Sequence, residues 1–135
     1  MDLIDNYNQF NAFGKENKLQ LEIIEPGHIQ YTMELEEKHF ATPTLIHGGA
    51  LAGFMDAILS VAAFSALAIE GRGVATIEFK INYLKAVRQT GIIKGIGKII
   101  RKGKRIVVVE GHILDSLGDL VAVGTGSIAP IDHQN

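Results

Sequence analysis

The stretch Ile46–Ile69 limits what this chain can fold into more than any other. Its 24 residues are rich in Ala, Leu and Ile and leave no polar side when wound as a helix. A helix apolar on every side must be enclosed by protein or by lipid. Its length suffices for a bilayer, which needs about 20 residues. Asp56 near the middle argues against that reading, because a central Asp costs about 2.5–3.5 kcal/mol on insertion scales. Gly48, Gly49, Gly53, Ser60 and Ser65 also make the run less greasy, and a flanking belt of basic and aromatic anchors is missing. The stretch therefore reads as a buried core helix, with no membrane as partner.

Strands are expected to supply the enclosure. Residues 1–17 read as a helical arm, with Leu3, Tyr7, Phe10 and Phe13 at roughly helical spacing and Gly14 as its stop. Leu19–Glu25 and Ile29–Leu35 alternate apolar with polar residues across the turn Pro26-Gly27, which predicts a hairpin. Glu36–Leu45, with Pro43, reads as a loop. After the helix stops at Gly71 and Gly73, the period changes to two. Ile77, Phe79, Ile81 and Tyr83 fall on one face of a strand, and Thr76, Glu78, Lys80 and Asn82 on the other. Further strands are expected over Ile92–Ile100, Ile106–Leu114 and Leu120–Ile128. Gly95 and Gly97 mark a bend or a close backbone approach in the first of these. Residues 130–135 read as a tail. The order is arm, two strands, one long helix, four strands. Strands without intervening helices pair antiparallel. The fold class is α+β, an antiparallel sheet wrapped around one central helix, in a single domain over 1–135.

Composition excludes several function classes. With 47% hydrophobic and 21% charged residues the chain is globular rather than disordered. A net charge of −2 and one short basic run, Arg101–Arg105, leave no nucleic-acid footprint. The absence of cysteine removes disulfides and thiolate metal sites and fits a reducing compartment, with the cytoplasm as the expected location. The acidic start Met1-Asp2-Leu3-Ile4-Asp5 is no secretory signal. No metal or cofactor is expected.

Two features of the helix point to chemistry. Burying an ionised carboxylate costs several kcal/mol unless it is hydrogen-bonded, so Asp56 is a candidate functional group. His47-Gly48-Gly49 stands where the helix begins and exposes free N–H groups at the positive end of its dipole. Glycine there admits a ligand to the backbone, and the Gly48 N–H is a candidate oxyanion donor. Asp56 lies nine residues beyond His47, about 13 Å along the axis at 1.5 Å per residue. One helix cannot bring both to one small reacting group. Either they do not cooperate, or Asp56 works with the helix start of a second copy. Antiparallel helices about a two-fold axis would give two equivalent sites per dimer.

The ordered set His47-Gly48-Gly49-x6-Asp56, Thr76-Ile77-Glu78-Phe79-Lys80-Ile81-Asn82-Tyr83-Leu84, Gly91, Gly103-Lys104 and Gly118-x-Leu120-Val121-Ala122 resembles the hotdog-fold acyl-CoA thioesterases. The branch nearest in pattern holds PaaI and 4-hydroxybenzoyl-CoA thioesterase, and the likeness spans roughly residues 19–129. It implies a hotdog fold, homodimers often paired into tetramers, and hydrolysis of an acyl-CoA thioester with CoA as part of the substrate. It implies that Asp56 is the general base or nucleophile. Gly48 would be the backbone donor to the carbonyl, with His47 beside it, and Thr76 would help place the water. The strand alternation by itself does not aim Thr76 at Asp56. Many members carry Asn or Gln six residues before the histidine, where this chain has Ala41, with Thr42 and Thr44 as polar neighbours. Lys85-Ala86 also replaces an Arg-Pro pair.

Other candidates follow from the same reading. Gly49 allows close approach, and Phe54 is a core aromatic that could line an acyl pocket. Lys85, Arg88, Lys102, Lys104 and Arg105 are candidate contacts for the CoA phosphates. Glu110 and His112 share a strand face but do not make a metal site by themselves. His28, His39 and His133 carry no assigned role. Two other functions compete with hydrolysis. One is a non-catalytic acyl-CoA-binding or sensing module, which Ala41 favours. The other is an enoyl-CoA hydratase, whose closer Asp/His pair is not found.

Overall fold

The computed structural model describes residues 2–132. The arm is two helices, α1 (Leu3–Phe10) and α2 (Ala12–Glu16). Asp2 caps α1 by accepting the Asp5 N–H at 2.8 Å, and Asn11 caps α2 by accepting the Gly14 N–H at 3.0 Å. The break therefore falls at Asn11, whose side chain starts a new helix. Gly14, expected as the stop, lies inside α2.

Strands β1 (Gln20–Glu25) and β2 (His28–Leu35) form the predicted hairpin. The expected loop Glu36–Leu45 is more ordered than its composition implies. It holds a 3-10 turn at Glu37–His39 and a small hairpin of β3 (Phe40–Thr42) and β4 (Leu45–Ile46). The long helix α3 (Gly48–Leu67) follows, and a short 3-10 extension ends at Gly71 in the left-handed region (φ 73°). The chain closes with β5 (Arg72–Tyr83), β6 (Gly91–Lys102), β7 (Val107–Leu114) and β8 (Leu120–Asp132). Residues 130–132, expected as tail, belong to β8, where Asp132 pairs with Arg72. The rest of that tail, with His133, lies outside the described residues.

The main sheet is antiparallel, in the order β1-β2-β6-β7-β8-β5. It wraps α3, which packs on β2, β5, β6, β7 and β8. Leu51, Phe54, Met55, Ile58, Leu59, Val61 and Leu67 of the helix are buried in the resulting core. Each large side chain of this kind contributes about 1.5–3 kcal/mol on burial. By length and composition α3 and its extension could cross a membrane. Here that apolar surface faces the sheet instead.

The close fit depends on glycine. Gly97 of β6 pairs with Gly111 of β7, which pairs with Gly124 of β8. A Cβ on Gly97 would stand 2.7 Å from the Ile58 carbonyl oxygen, and one on Gly111 would stand 2.7 Å from the Met55 sulfur. The glycines in β6 thus mark a close approach to the helix, one of the two alternatives that the sequence leaves open.

His39 ties the 3-10 turn to the arm. It is 6% exposed, its Nδ1 accepts the Glu36 N–H at 2.9 Å, and its Nε2 lies 2.8 Å from Asn17 Oδ1. An accepting Nδ1 leaves the proton on Nε2, which donates to Asn17. Burial, followed by the Lys38 charge, pulls the ring's pKa below its ordinary 6.5.

Gly97→Ala should lower the unfolding free energy by about 1–3 kcal/mol or more through overpacking, while Lys98→Ala on the exposed side stays within about 0.5 kcal/mol. Urea unfolding of both variants checks this. The folded state disfavours a charged His39, so stability should be full above about pH 6.5 and fall as pH drops below it. In thermal melts across that range, His39→Gln should flatten the decline.

Candidate active site

The site begins at the start of α3. His47 has an extended backbone (φ −64°, ψ 130°), and its Nδ1 accepts the Gly49 N–H at 2.7 Å. The exposed ring therefore keeps Nε2–H as a donor. The Ala50 N–H bonds the His47 carbonyl at 3.0 Å. Among the described residues, no acceptor takes the Gly48 N–H, which stands at the positive end of the helix dipole. The Gly48 carbonyl accepts the Tyr83 hydroxyl at 2.7 Å, which anchors the helix start to the end of β5.

Asp56 lies two turns further along and is half-buried. The Thr76 hydroxyl donates to its Oδ1 at 2.7 Å. A β-bulge makes this bond. The register shifts between Thr76, which pairs with Ile128, and Glu78, which pairs with Ser127. The extra residue, Ile77, turns outward and is exposed. Strict alternation would place Ile77 inward with Phe79 and Ile81. The bulge instead gives that face to Thr76, aimed at the helix.

The half-exposed face of α3 is built from small residues around Asp56, namely Gly49, Ala52, Gly53 and Ser60. The arm lies along part of it. The Phe13 ring stands 3.0 Å from where a Gly53 Cβ would be. Tyr7 packs edge-on against Phe64 with ring centroids 5.6 Å apart. Burial raises the Tyr7 pKa, the adjacent Tyr31 hydroxyl opposes the rise, and the Asp56 charge adds to it. Tyr31 is 2% exposed, and its hydroxyl makes no hydrogen bond of normal geometry among the described residues.

Other expected site residues are placed differently. Phe54 is fully buried against Tyr31, at a centroid distance of 6.4 Å, so it is core and not the wall of an open pocket. The basic residues do not gather in one rim. Lys85 is held by Asp115 at 2.8 Å and Asp119 at 2.7 Å, and Arg88 donates to the Thr44 carbonyl at 3.1 Å. Lys102 pairs with Glu70, beyond the other end of α3. Lys104 and Arg105 lie exposed in the adjoining turn, without an ion pair among the described residues. Glu110 and His112 pair across β6 with Lys98 and Ile96, on the face turned away from the helix. Among the described residues no group of acidic and histidine side chains could hold a metal.

Ala41 is exposed and shares an open groove with Thr42 and Gln89. The Thr42 hydroxyl accepts the Thr44 N–H at 3.3 Å, so its own turn already uses it. Sequence reasoning missed Gln89, Tyr83 and Tyr7 as neighbours of the site. Tyr7 had a signal in the arm's helical spacing. Tyr83 depends on where the end of β5 meets the helix start, and Gln89, beside Ala41, on how the β5–β6 connection folds back, with the Ile46 N–H bonded to the Val87 carbonyl at 2.8 Å.

One long helix enclosed by an antiparallel sheet defines the hotdog class of proteins. The sequence pattern of the family described as Thioesterase superfamily matches residues 44–122, more than half of the chain. The chain belongs to this superfamily. It is similar to a Saccharolobus solfataricus protein provisionally named as an esterase, SSO1253, at 29% identity over 126 residues, covering 93% of this chain and 79% of the relative. Among solved structures, the conserved protein PA5202 of Pseudomonas aeruginosa matches with TM-score 0.81 and 28% identity, over 89% of this chain and 94% of that one. The PaaI protein of E. coli, from the phenylacetic acid degradation operon, matches with TM-score 0.88 and 18% identity, over 97% and 92%. At that identity the likeness is one of fold.

A hydrogen bond to a charged group is worth about 1.5–3 kcal/mol, or roughly 10- to 100-fold in rate. Thr76→Val should lower turnover by that factor, and Thr76→Ser should keep most of it. Steady-state assays at matched thermal stability would decide.

Proposed function

We propose that this protein hydrolyses an acyl-CoA thioester to a free acid and CoA. The bond from Thr76 to Asp56 Oδ1 carries the reading. It fixes the orientation of the carboxylate, while Oδ2 remains for a water. Asp56 takes a proton from that water, and the hydroxide attacks the thioester carbon. The negative charge that develops on the carbonyl oxygen is met by the Gly48 N–H and the helix dipole. The CoA sulfur then leaves and is protonated. Direct attack by Asp56, through an anhydride that water resolves, uses the same groups.

Gly48 and Asp56 lie eight residues apart on one helix, so the reaction is assigned to a homodimer in which each site takes Gly48 from one copy and Asp56 from the other. Two observations support this. The small residues around Asp56 leave room for a second helix, and β5 is an edge strand of the sheet. A pairing of dimers extends the same proposal. CoA phosphates would meet Arg88 at the Gly48 end of α3, or Lys104 and Arg105 at its other end, since Lys85 and Lys102 already have carboxylate partners.

The second reading, a binding module without turnover, is favoured by Ala41, which offers no polar group to the carbonyl. One experiment separates the two. Thiol release from a panel of acyl-CoAs should be catalysed by the purified protein. Asp56→Ala should lose about 100- to 10,000-fold of that rate while remaining folded. Thermal stabilisation by acyl-CoA with no thiol release would favour the binding module, and full activity in Asp56→Ala would sink the proposed mechanism.

A further inference from the structure

Beyond Asp56, along the same side of α3, lies a cleft of about 330 Å³ that the mechanism above does not use. Its walls come from three elements: Leu3 and Tyr7 of the arm, Ser60 and Phe64 of α3, and Val74 and Ile131 of the sheet. Its position follows from spacing. Ser60 is one helical turn past Asp56, and Val74 precedes Thr76 by two residues on the same strand. Tyr7 closes one side of the cleft, with its ring packed edge-on against Phe64.

We infer that this cleft holds the acyl group of the substrate and that Tyr7 is a specificity-determining residue. The inference rests on the thioesterase reading. The lining selects which part of the substrate enters. The pantetheine arm of CoA carries amides that need partners when buried, and few polar side chains line these walls. An apolar acyl body needs none. The size lies at the small end of ordinary ligand sites, about 300–1,000 Å³, and fits a single ring or a medium alkyl chain. Tyr7 contributes the face of its ring.

The test compares acetyl-, hexanoyl-, benzoyl- and palmitoyl-CoA in thiol-release assays, together with binding of S-hexyl-CoA, a thioether that cannot be hydrolysed. Hexanoyl- or benzoyl-CoA should be preferred, with kcat/KM at least tenfold above acetyl- and palmitoyl-CoA. Tyr7→Ala, which opens the cleft, and Ser60→Phe, which fills it, should each reduce that preference at least tenfold, mainly through KM. Tyr7→Phe should keep it. Circular dichroism confirms folding, and Ser60→Phe serves if Tyr7→Ala does not fold. S-hexyl-CoA should bind at least tenfold tighter than CoA, and Ser60→Phe should erase the difference. Hydrolysis with an acyl preference that neither variant changes overturns the cleft and leaves the thioesterase reading intact. Tighter thioether binding that Ser60→Phe erases supports the cleft even if no ester is turned over. Equal binding of CoA and the thioether overturns it.

Discussion

Everything in this molecule depends on a helix that has to be enclosed. Twenty residues with scarcely a polar side chain cannot rest on a flat surface, so the sheet curves around them. Curvature alone would leave a gap. Side chains on both surfaces would hold helix and strands near the usual separation of about 10 Å. The row Gly97, Gly111 and Gly124 removes one layer of side chains and lets Ile58 and Met55 settle on bare backbone. The fit is unforgiving, since the nearest neighbours of those glycines include backbone atoms that have no rotamer to change. A tightly seated helix is the result, and it holds Asp56 within hydrogen-bond reach of β5.

The same enclosure determines where chemistry can occur. Sheet strands cover most of α3, and only the face with Gly49, Ala52, Gly53, Asp56 and Ser60 remains partly open. A carboxylate elsewhere on this helix would be buried without water. On the open face it can meet solvent or substrate, yet it still receives a hydrogen bond from the protein. The bulge in β5 supplies that bond by shifting Thr76 to the helix-facing side. The cost is one outward, exposed apolar side chain, Ile77, at the edge strand.

Much of this was legible in the sequence because apolar spacing is a local property. The helix, the hairpin of β1 and β2, and the later strands follow from periods of 3.6 and 2 together with glycine and proline at the turns. Asp56 and the His47-Gly48-Gly49 start stood out because they break that pattern. What could not be read depends on pairing between distant segments. Period two puts Thr76 on the wrong face, since a bulge is defined by its partner strand and not by its own residues. The basic residues looked like one rim in the sequence, but they occupy opposite ends of α3. His39 looked idle in a loop, yet it becomes a buried link once Asn17 arrives from the arm. The β3–β4 hairpin was missed because strands of two or three residues carry too few positions to show a period.

The arm gives the open face of the helix its asymmetry. Phe13 and Tyr7 lie along one flank, over Gly53 and against Phe64, while β5 supplies the other flank through Thr76. Asp56 stands between them. The Thr76 side offers a hydrogen bond that orients the carboxylate, and the arm side offers aromatic surface. The arm therefore shapes the flank of that face which the bulge in β5 does not reach.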